Sequence, residues 1–484
     1  MNGNMEKLSE KKLSQYNEVL SLMESDQKNV NYNDSWEYKL LDLANKIINR
    51  LKVEIPEITR KNEIVFIKEE KYIRALTLFL AYFQDYLSLE IITSLENAID
   101  AHLVKLYERF ESCNKDIIDI TKESVGITII GYTSDNKHIG DIDIRLQKRG
   151  IKVVYLCNSM CAYENLKERI KDFKALVLIA HPIYYAYISR VKVLLSTNDP
   201  LPLQKMNNIK TKIIHLGHNF NEALQYTLWR TDKNYVFNSL KRERLDRSHY
   251  VVAHTENDYR VLQKTCEYFN IANTKILKGG NPSLDWTLHQ YQENAQLSNK
   301  GRKYLLLAPS YLENFLEDSQ MIDALEEIIN QKIFLVIRPH PLQLQKVHLK
   351  YKDLLDSWSK KNFQFKIDDS GKYFNDYLVN SFALLTDESS MGVSYPFYAL
   401  KPSAIYIKES RRIGVRIDGI GLYNENLNIL VDDCETLKRS IIGLSSEGAD
   451  IIDRERFIYN FRNEQVYNFM KSSEYLANVM IKML

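Results

Sequence analysis

Glycine and proline are scarce in this chain, at 16 and 10 of 484 residues. That shortage excludes a linker-dominated, collagen-like or low-complexity architecture and points to closely spaced secondary elements. Cysteine is scarcer still, five residues with no zinc-binding spacing. Cys157 and Cys161 stand four apart, but no second pair or clustered histidine supports a metal site, so none is expected. No uninterrupted apolar run reaches about 18 residues, which argues against a membrane-spanning helix. The stretch Met1 to Gln27 is polar and lacks the apolar centre of a secretory signal. Charge of one sign is missing too, with 65 basic against 63 acidic side chains. The electrostatic footprint of a nucleic-acid binder is therefore absent. These absences lead us to expect a cytoplasmic protein; any membrane contact would be peripheral, on the inner face.

What the chain does have is length for two or three domains, 45% hydrophobic residues and 31 tyrosines. Apolar residues recur three and four apart through Tyr38 to Ile48, Leu76 to Leu89 and Ser94 to Leu106, the helical period. Residues 1–122 are expected to form a helical accessory domain. Near Ser124 the texture changes. Short apolar runs, Val125–Gly131, Ile151–Leu156, Ala175–Ala180, Lys212–Leu216 and Tyr250–Ala253, alternate with helix-length segments, as in a parallel, helix-covered sheet. A second series starts at Tyr304 and includes Ile333–Ile337, Ala383–Thr386, Ser403–Ile407 and Asn428–Val431. The polar stretch Leu288–Gly301 reads as the linker. The expected fold is α/β, with two Rossmann-type domains, 123–290 and 300–484, facing a cleft.

Parallel sheets bind ligands beyond the carboxyl ends of their strands, where helix N-termini point outward. Arg338-Pro339-His340-Pro341 follows a strand directly. Its two prolines restrict the backbone around one imidazole, which could stabilise a diphosphate leaving group beside the Arg338 charge. The bland alternative is a turn with a satisfied histidine. Asp387-Glu388-Ser389-Ser390 follows another strand, and its serines sit where a helix begins, so hydroxyls and amides there can accept a phosphate. Simple capping uses the same groups, and Asp387 reads as an orienting residue. His215-Leu216-Gly217-His218-Asn219 follows a strand of the first series. It offers a general base for an acceptor hydroxyl, with loop packing or a metal pair as alternatives. Gly279-Gly280-Asn281-Pro282 with Asp285 is either a close approach to a ligand or a bare turn. Lys241-Arg242-Glu243-Arg244 with Arg247 reads as a solvated helix face or a contact for an anionic acceptor or lipid surface.

These motifs in this order resemble the CDP-glycerol glycerophosphotransferase family, which builds teichoic-acid-like polymers on a GT-B fold. The likeness runs from about Lys212 to Leu437. Tyr250 to Asn257 resembles the segment before that family's linker. Gly280 to Asp285 resembles its Gly-x-Pro-x-x-Asp turn, and Leu305 to Ser310, with Pro309, its strand ending in Ala-Pro-Thr. Arg338 to Pro341 matches its Arg-Pro-His-Pro, and Thr386 to Ser390 is similar to its Thr-Asp-Tyr-Ser-Ser. The resemblance implies a CDP-linked donor, with no obligatory cofactor. It places His340, Ser389 and Ser390 near the diphosphate, with Arg338, Pro341, Asp387, Gly280 and Pro309 around the donor. The base of the family's His-Gly-Thr falls on His218, with His215 and Asn219 on the acceptor side. Here Asn219-Phe220 replaces Gly-Thr, which leaves the acceptor and the transferred group open.

Three readings follow. The first is transfer of a polyol phosphate from a CDP donor to a cell-surface glycan or lipid-linked acceptor. The second is a CMP-sugar transferase, because His340-Pro341 and Ser389-Ser390 also satisfy the shorter patterns of bacterial sialic acid and Kdo transferases. Those sialyltransferases usually carry an acidic base motif, for which Gly140-Asp141-Ile142-Asp143 is the nearest and a poor candidate. The third is a catalytically silent binding protein on the same fold.

Overall fold

Valine, isoleucine and leucine dominate the short runs that pair into sheets, and runs buried on both faces need no alternation. The computed structural model describes residues 10–23, 36–83, 86–129, 138–170, 175–197, 210–228, 232–297, 301, 303–340, 343–344, 346–370, 374–387, 389–407, 426–446 and 449–484. Gly131, Pro341 and Glu388 lie outside them.

The first sheet has nine strands: β1 (Ile58–Lys61), β2 (Ile64–Ile67), β3 (Val125–Ile129), β4 (Val153–Cys157), β5 (Leu176–Ile179), β6 (Val193–Ser196), β7 (Lys212–His215), β8 (Tyr250–Ala253) and β9 (Lys275–Lys278). Their order is β1-β2-β5-β4-β3-β6-β7-β8-β9. All neighbours run parallel except the β1–β2 hairpin. The second sheet is wholly parallel: β10 (Tyr304–Leu307), β11 (Phe334–Ile337), β12 (Phe365–Ile367), β13 (Ser381–Thr386), β14 (Ser403–Tyr406) and β15 (Asn428–Val431). Its order, β12-β11-β10-β13-β14-β15, is that of a doubly wound sheet, whose strand order reverses between β10 and β13. In the first sheet the reversal lies between β3 and β6.

Three departures from the sequence reading have simple causes. The N-terminal region is helical over Trp36–Val53, Lys71–Phe83 and Leu89–Cys113, but it also supplies the β1–β2 hairpin. Its helices share one core with the sheet: Phe79, Leu103 and Leu106 join Val154, Leu178 and Leu194. The stretch read as a linker is helical to Leu297, as part of Pro282–Leu297. Leu284, Leu288 and Tyr291, three and four apart, bury one face against the second sheet's core, and its Gln and Asn residues only decorate the other. Finally, the closing helix Ser472–Met483 returns to the first sheet, where Leu476, Ala477 and Met480 are buried beside Ile127 and Val252.

Candidate functional site

Beyond the carboxyl ends of β11, β10 and β13, three adjacent loops carry His340, Pro309 and Ser389-Ser390. Side chains stitch these loops together. Asp387 is buried, and its carboxylate accepts the amides of Ser310 (2.8 Å) and Tyr311 (3.2 Å) and the Asn314 side chain (3.3 Å). Arg338 donates to Asp368 at the end of β12 (2.7 Å) and to Asn375 (2.7 Å). Burial alone would raise the Asp368 pKa, but the Arg338 charge and hydrogen bonds from Ser370 and Asn375 outweigh it and hold the carboxyl below its ordinary range. Arg338 and Asp387 are thus engaged with neighbouring loops. His340 is exposed, and Pro309 is buried beneath the loop.

Ser389 caps the helix Ser390–Ala399 by accepting the Met391 amide. Gly392 lets this helix lie against β13, since a Cβ there would meet Thr386 Cγ2 at 2.8 Å. Pro396 sits inside the helix and has no N–H to offer the Gly392 carbonyl four residues back. That carbonyl is taken instead by Ser403 Oγ (2.7 Å) and Asn428 Nδ2 (2.9 Å), at the starts of β14 and β15. A helix with a broken ladder is thereby bolted to the sheet, and its N-terminal amides face the strand-order reversal.

On the other sheet, the loop after β7 holds the second group. His215 is buried, and neither of its ring nitrogens meets a hydrogen-bond partner among the described residues. Burial first, then the charges of Arg244 and its neighbours, pushes its pKa well below normal, so it stays neutral. His218 donates its amide to Glu222 Oε2 at 2.9 Å. Glu222 also pairs with buried Arg244, and its carboxylate lies 4.0 Å from His215 Nε2. Arg244 reaches inward because Lys241–Leu245 is a π-helical turn, which re-aims side chains relative to an α-helix. The basic stretch is therefore not simply a solvated face. Asn219 is half-buried. The His218 ring packs at a tilt against His138, with centroids 4.3 Å apart and an interplanar angle of 31°.

Beneath this loop lies a polar network. His254 Nδ1 accepts the Asn221 amide (2.9 Å), its Nε2 is 2.9 Å from the Leu216 carbonyl, and Asp258 accepts the amides of Ala223 and His254 (each 3.0 Å). Phe220 stacks near-parallel on His254 and meets Phe397 edge-on, the latter at 4.7 Å between centroids. It is buried in the core of the second sheet although its chain belongs to the first. A small crevice opens beside this contact, lined by Asn221, Leu224 and Thr255 on one side and Val393, Phe397 and Asn428 on the other.

Gly280 and Asp285 do a different job. At φ +78°, a Cβ on Gly280 would meet the Tyr467 carbonyl at 2.0 Å. Asp285 accepts the amides of Met470 (2.8 Å) and Ser472 (2.9 Å), and burial raises its pKa to about 6. This turn clamps the segment entering the closing helix. In the acidic candidate, Asp143 is tied to Arg169 (2.7 Å) and Tyr155 (2.8 Å), and Asp141 to Arg145 (2.9 Å). No group of three or more metal-binding side chains occurs among the described residues, and no helix there is long and apolar enough to cross a membrane.

Neither a protein-family model nor a curated protein matches the sequence. A variant of the wall teichoic acid polymerase TagF superposes with a TM-score of 0.50 at 16% identity, over 80% of this chain and 97% of that one. The fold is GT-B-like. UDP-GlcNAc 2-epimerase from Neisseria meningitidis, solved with UDP-GlcNAc bound, aligns at 14% identity and a TM-score of 0.45, over 74% and 99%. The epimerase from Rickettsia bellii gives 12% and 0.46, over 75% and 96%. At these identities the likeness concerns architecture.

Within the GT-B-like frame, sequence reasoning did not single out His138 or Glu222, and it read Arg244 only within a basic stretch and His254 only within the segment Tyr250 to Asn257. Glu222, four residues after His218, carried a weak helical-spacing signal. His138 carried none, because its contact with the loop after β7 depends on which strands become neighbours.

Proposed function

We infer that this protein transfers a polyol phosphate, glycerol phosphate or a close relative, from a CDP-activated donor to a cell-surface glycan or lipid-linked acceptor. One observation carries the reading. The loop bearing His218 is packed, through Phe220 and Phe397, onto the helix that Ser389 and Ser390 begin. A candidate base and a candidate phosphate cradle thus stand on elements that pack against each other, on motifs that resemble the CDP-glycerol glycerophosphotransferases in sequence.

In this reading the acceptor hydroxyl passes its proton to His218 while its oxygen attacks the donor's β-phosphorus. The bond from that phosphorus to the bridging oxygen breaks, and CMP departs with the electron pair. The amides at the head of Ser390–Ala399, the hydroxyls of Ser389 and Ser390 and the His340 imidazole stabilise the leaving charge. Arg338 and Asp387 serve by holding the loops that present those groups. The acceptor, and any contact with a membrane surface, belong to the proposal.

The test is thermal stabilisation by nucleotides. A ligand at a hundred times its Kd stabilises by about 2.7 kcal/mol, a clear shift in melting. CDP and CMP are expected to raise the melting temperature. A response to UDP alone would overturn the donor assignment. Release of nucleotide from CDP-glycerol or CDP-ribitol, with phosphorus in the product, supports the polyol phosphate; release from CMP-sialic acid or CMP-Kdo favours the sugar transferase. Cytidine binding without turnover of any of the four indicates a binding protein.

A further inference from the structure

Two histidine rings in direct contact cannot both carry a proton cheaply, because like charges at that distance repel and titrate as a pair. His138 and His218 meet in this way, with centroids 4.3 Å apart and planes inclined by 31°. Their positions give the contact meaning. His138 stands in the turn after β3 and His218 in the loop after β7, so both lie beyond the carboxyl ends of the first sheet, beside its strand-order reversal. The chain brings them together across about 80 residues of sequence, with a rigid parallel sheet as the template.

We propose that His138 is a second histidine of the reacting site, a positioning residue that packs at a tilt against His218 and limits the pair to a single proton. The proposal rests on the reading of His218 as the base. When His218 takes the acceptor's proton it becomes an imidazolium, and the face of a neutral His138 ring stabilises that charge as an aromatic face stabilises a cation. After transfer the proton leaves His218 for solvent, and the pair returns to neutral. The surroundings fit a site that admits one positive charge. His215 on β7 is buried and held neutral, Arg244 from the π-helical turn is paired with Glu222, and Arg247 and His254 add their fields at His215. Glu222 is the carboxylate at the centre, fixing the His218 backbone through its amide.

The experiment uses the intact chain with histidine rings labelled at Cε1 and followed by NMR from about pH 5 to 8, the range in which an unperturbed imidazole titrates. His138→Phe keeps a ring in the contact and removes its ionisation; His218→Phe does the reverse. In the wild type, the His138 and His218 signals are expected to move together with uptake of one proton, the second step displaced downward by about one pH unit or more. In His138→Phe the His218 signal is expected to follow a simple one-proton curve with a midpoint moved by about half a unit or more. A His218 curve that is superimposable in wild type and variant overturns the proposal. If the phenyl ring unfolds the loop, as circular dichroism would report, His138→Gln serves the same comparison. Full turnover in His218→Ala would sink the base assignment and leave the titration result readable by itself.

Discussion

At the scale of single residues, the loops after β10, β11 and β13 divide into side chains that hold and side chains that face outward. His340 is exposed at the end of β11 and contributes little burial, so His340→Ala should fold normally and lose turnover by about two to four orders of magnitude, as removal of a charge-stabilising or proton-transferring group does. A near-wild-type rate with a preferred donor would remove it from the site. Arg338 is a holding residue. It is about one-eighth exposed and paired with a buried carboxylate. Arg338→Ala should therefore cost about 3–5 kcal/mol in urea unfolding, since Asp368 is left charged and unpartnered by its cation. The sign with pH follows from the lowered Asp368 pKa. Its stabilisation is complete above the unfolded value and is lost as pH falls through the folded one. The stability gap between wild type and Asp368→Asn should be flat above about pH 5 and shrink toward about pH 3. The Arg-Pro-His-Pro motif was legible as a candidate site, but which of its side chains is spent on the scaffold was not. That depends on Asp368 and Asn375, which lie 30 and 37 residues away.

At the scale of elements, the helix Ser390–Ala399 shows how a local defect is absorbed by tertiary contacts. Proline inside a helix costs about 3 kcal/mol or more when nothing compensates. Here Ser403 and Asn428 take over the orphaned Gly392 carbonyl. Replacing both by alanine should destabilise by about 1–3 kcal/mol, the cost of an unsatisfied buried polar group. In a Pro396→Ala background, which restores the missing N–H, the same pair of changes should cost clearly less. Equal costs in the two backgrounds would show that the carbonyl is satisfied some other way. Most strands of four or five apolar residues were readable because they are buried on both faces, although β6 (Val193–Ser196) was not read. β9 was not, since Lys275 and Lys278 bracket only two apolar residues on an edge strand. The helix through Leu297 was hidden by its polar face, although Leu284, Leu288 and Tyr291 already carried the helical period.

At the scale of the molecule, the two sheets are joined by a few contacts of high sequence separation. Phe220 is the clearest, crossing from the loop after β7 into the core around Phe397. Phe220→Ala should cost about 3–5 kcal/mol as a buried aromatic truncation. It should also weaken any stabilisation by CDP, if the His218 loop and the Ser390 helix form one site. Stabilisation by CDP as large as in the wild type would mean that the donor ignores this contact. The closing helix is a second bond between the units. Truncation before Ser472 exposes the apolar face where Leu476, Ala477 and Met480 sit, and should leave a chain that aggregates instead of melting cooperatively.

The sequence by itself determined the α/β class, the strand-ending motifs around His340 and Ser389, and the departure at Asn219-Phe220. Each of these is written in a short window, in apolar runs, prolines or capping serines, where local physics suffices. The tertiary structure alone decided that Arg338 and Asp387 hold loops, that Gly280 and Asp285 clamp the closing helix, and that His138 meets His218. Those outcomes depend on which strands become neighbours, a property of the whole sheet. Phe220 joins the two levels. Its substitution was visible in the chain, but its place between His254 and Phe397 required both sheets to be present.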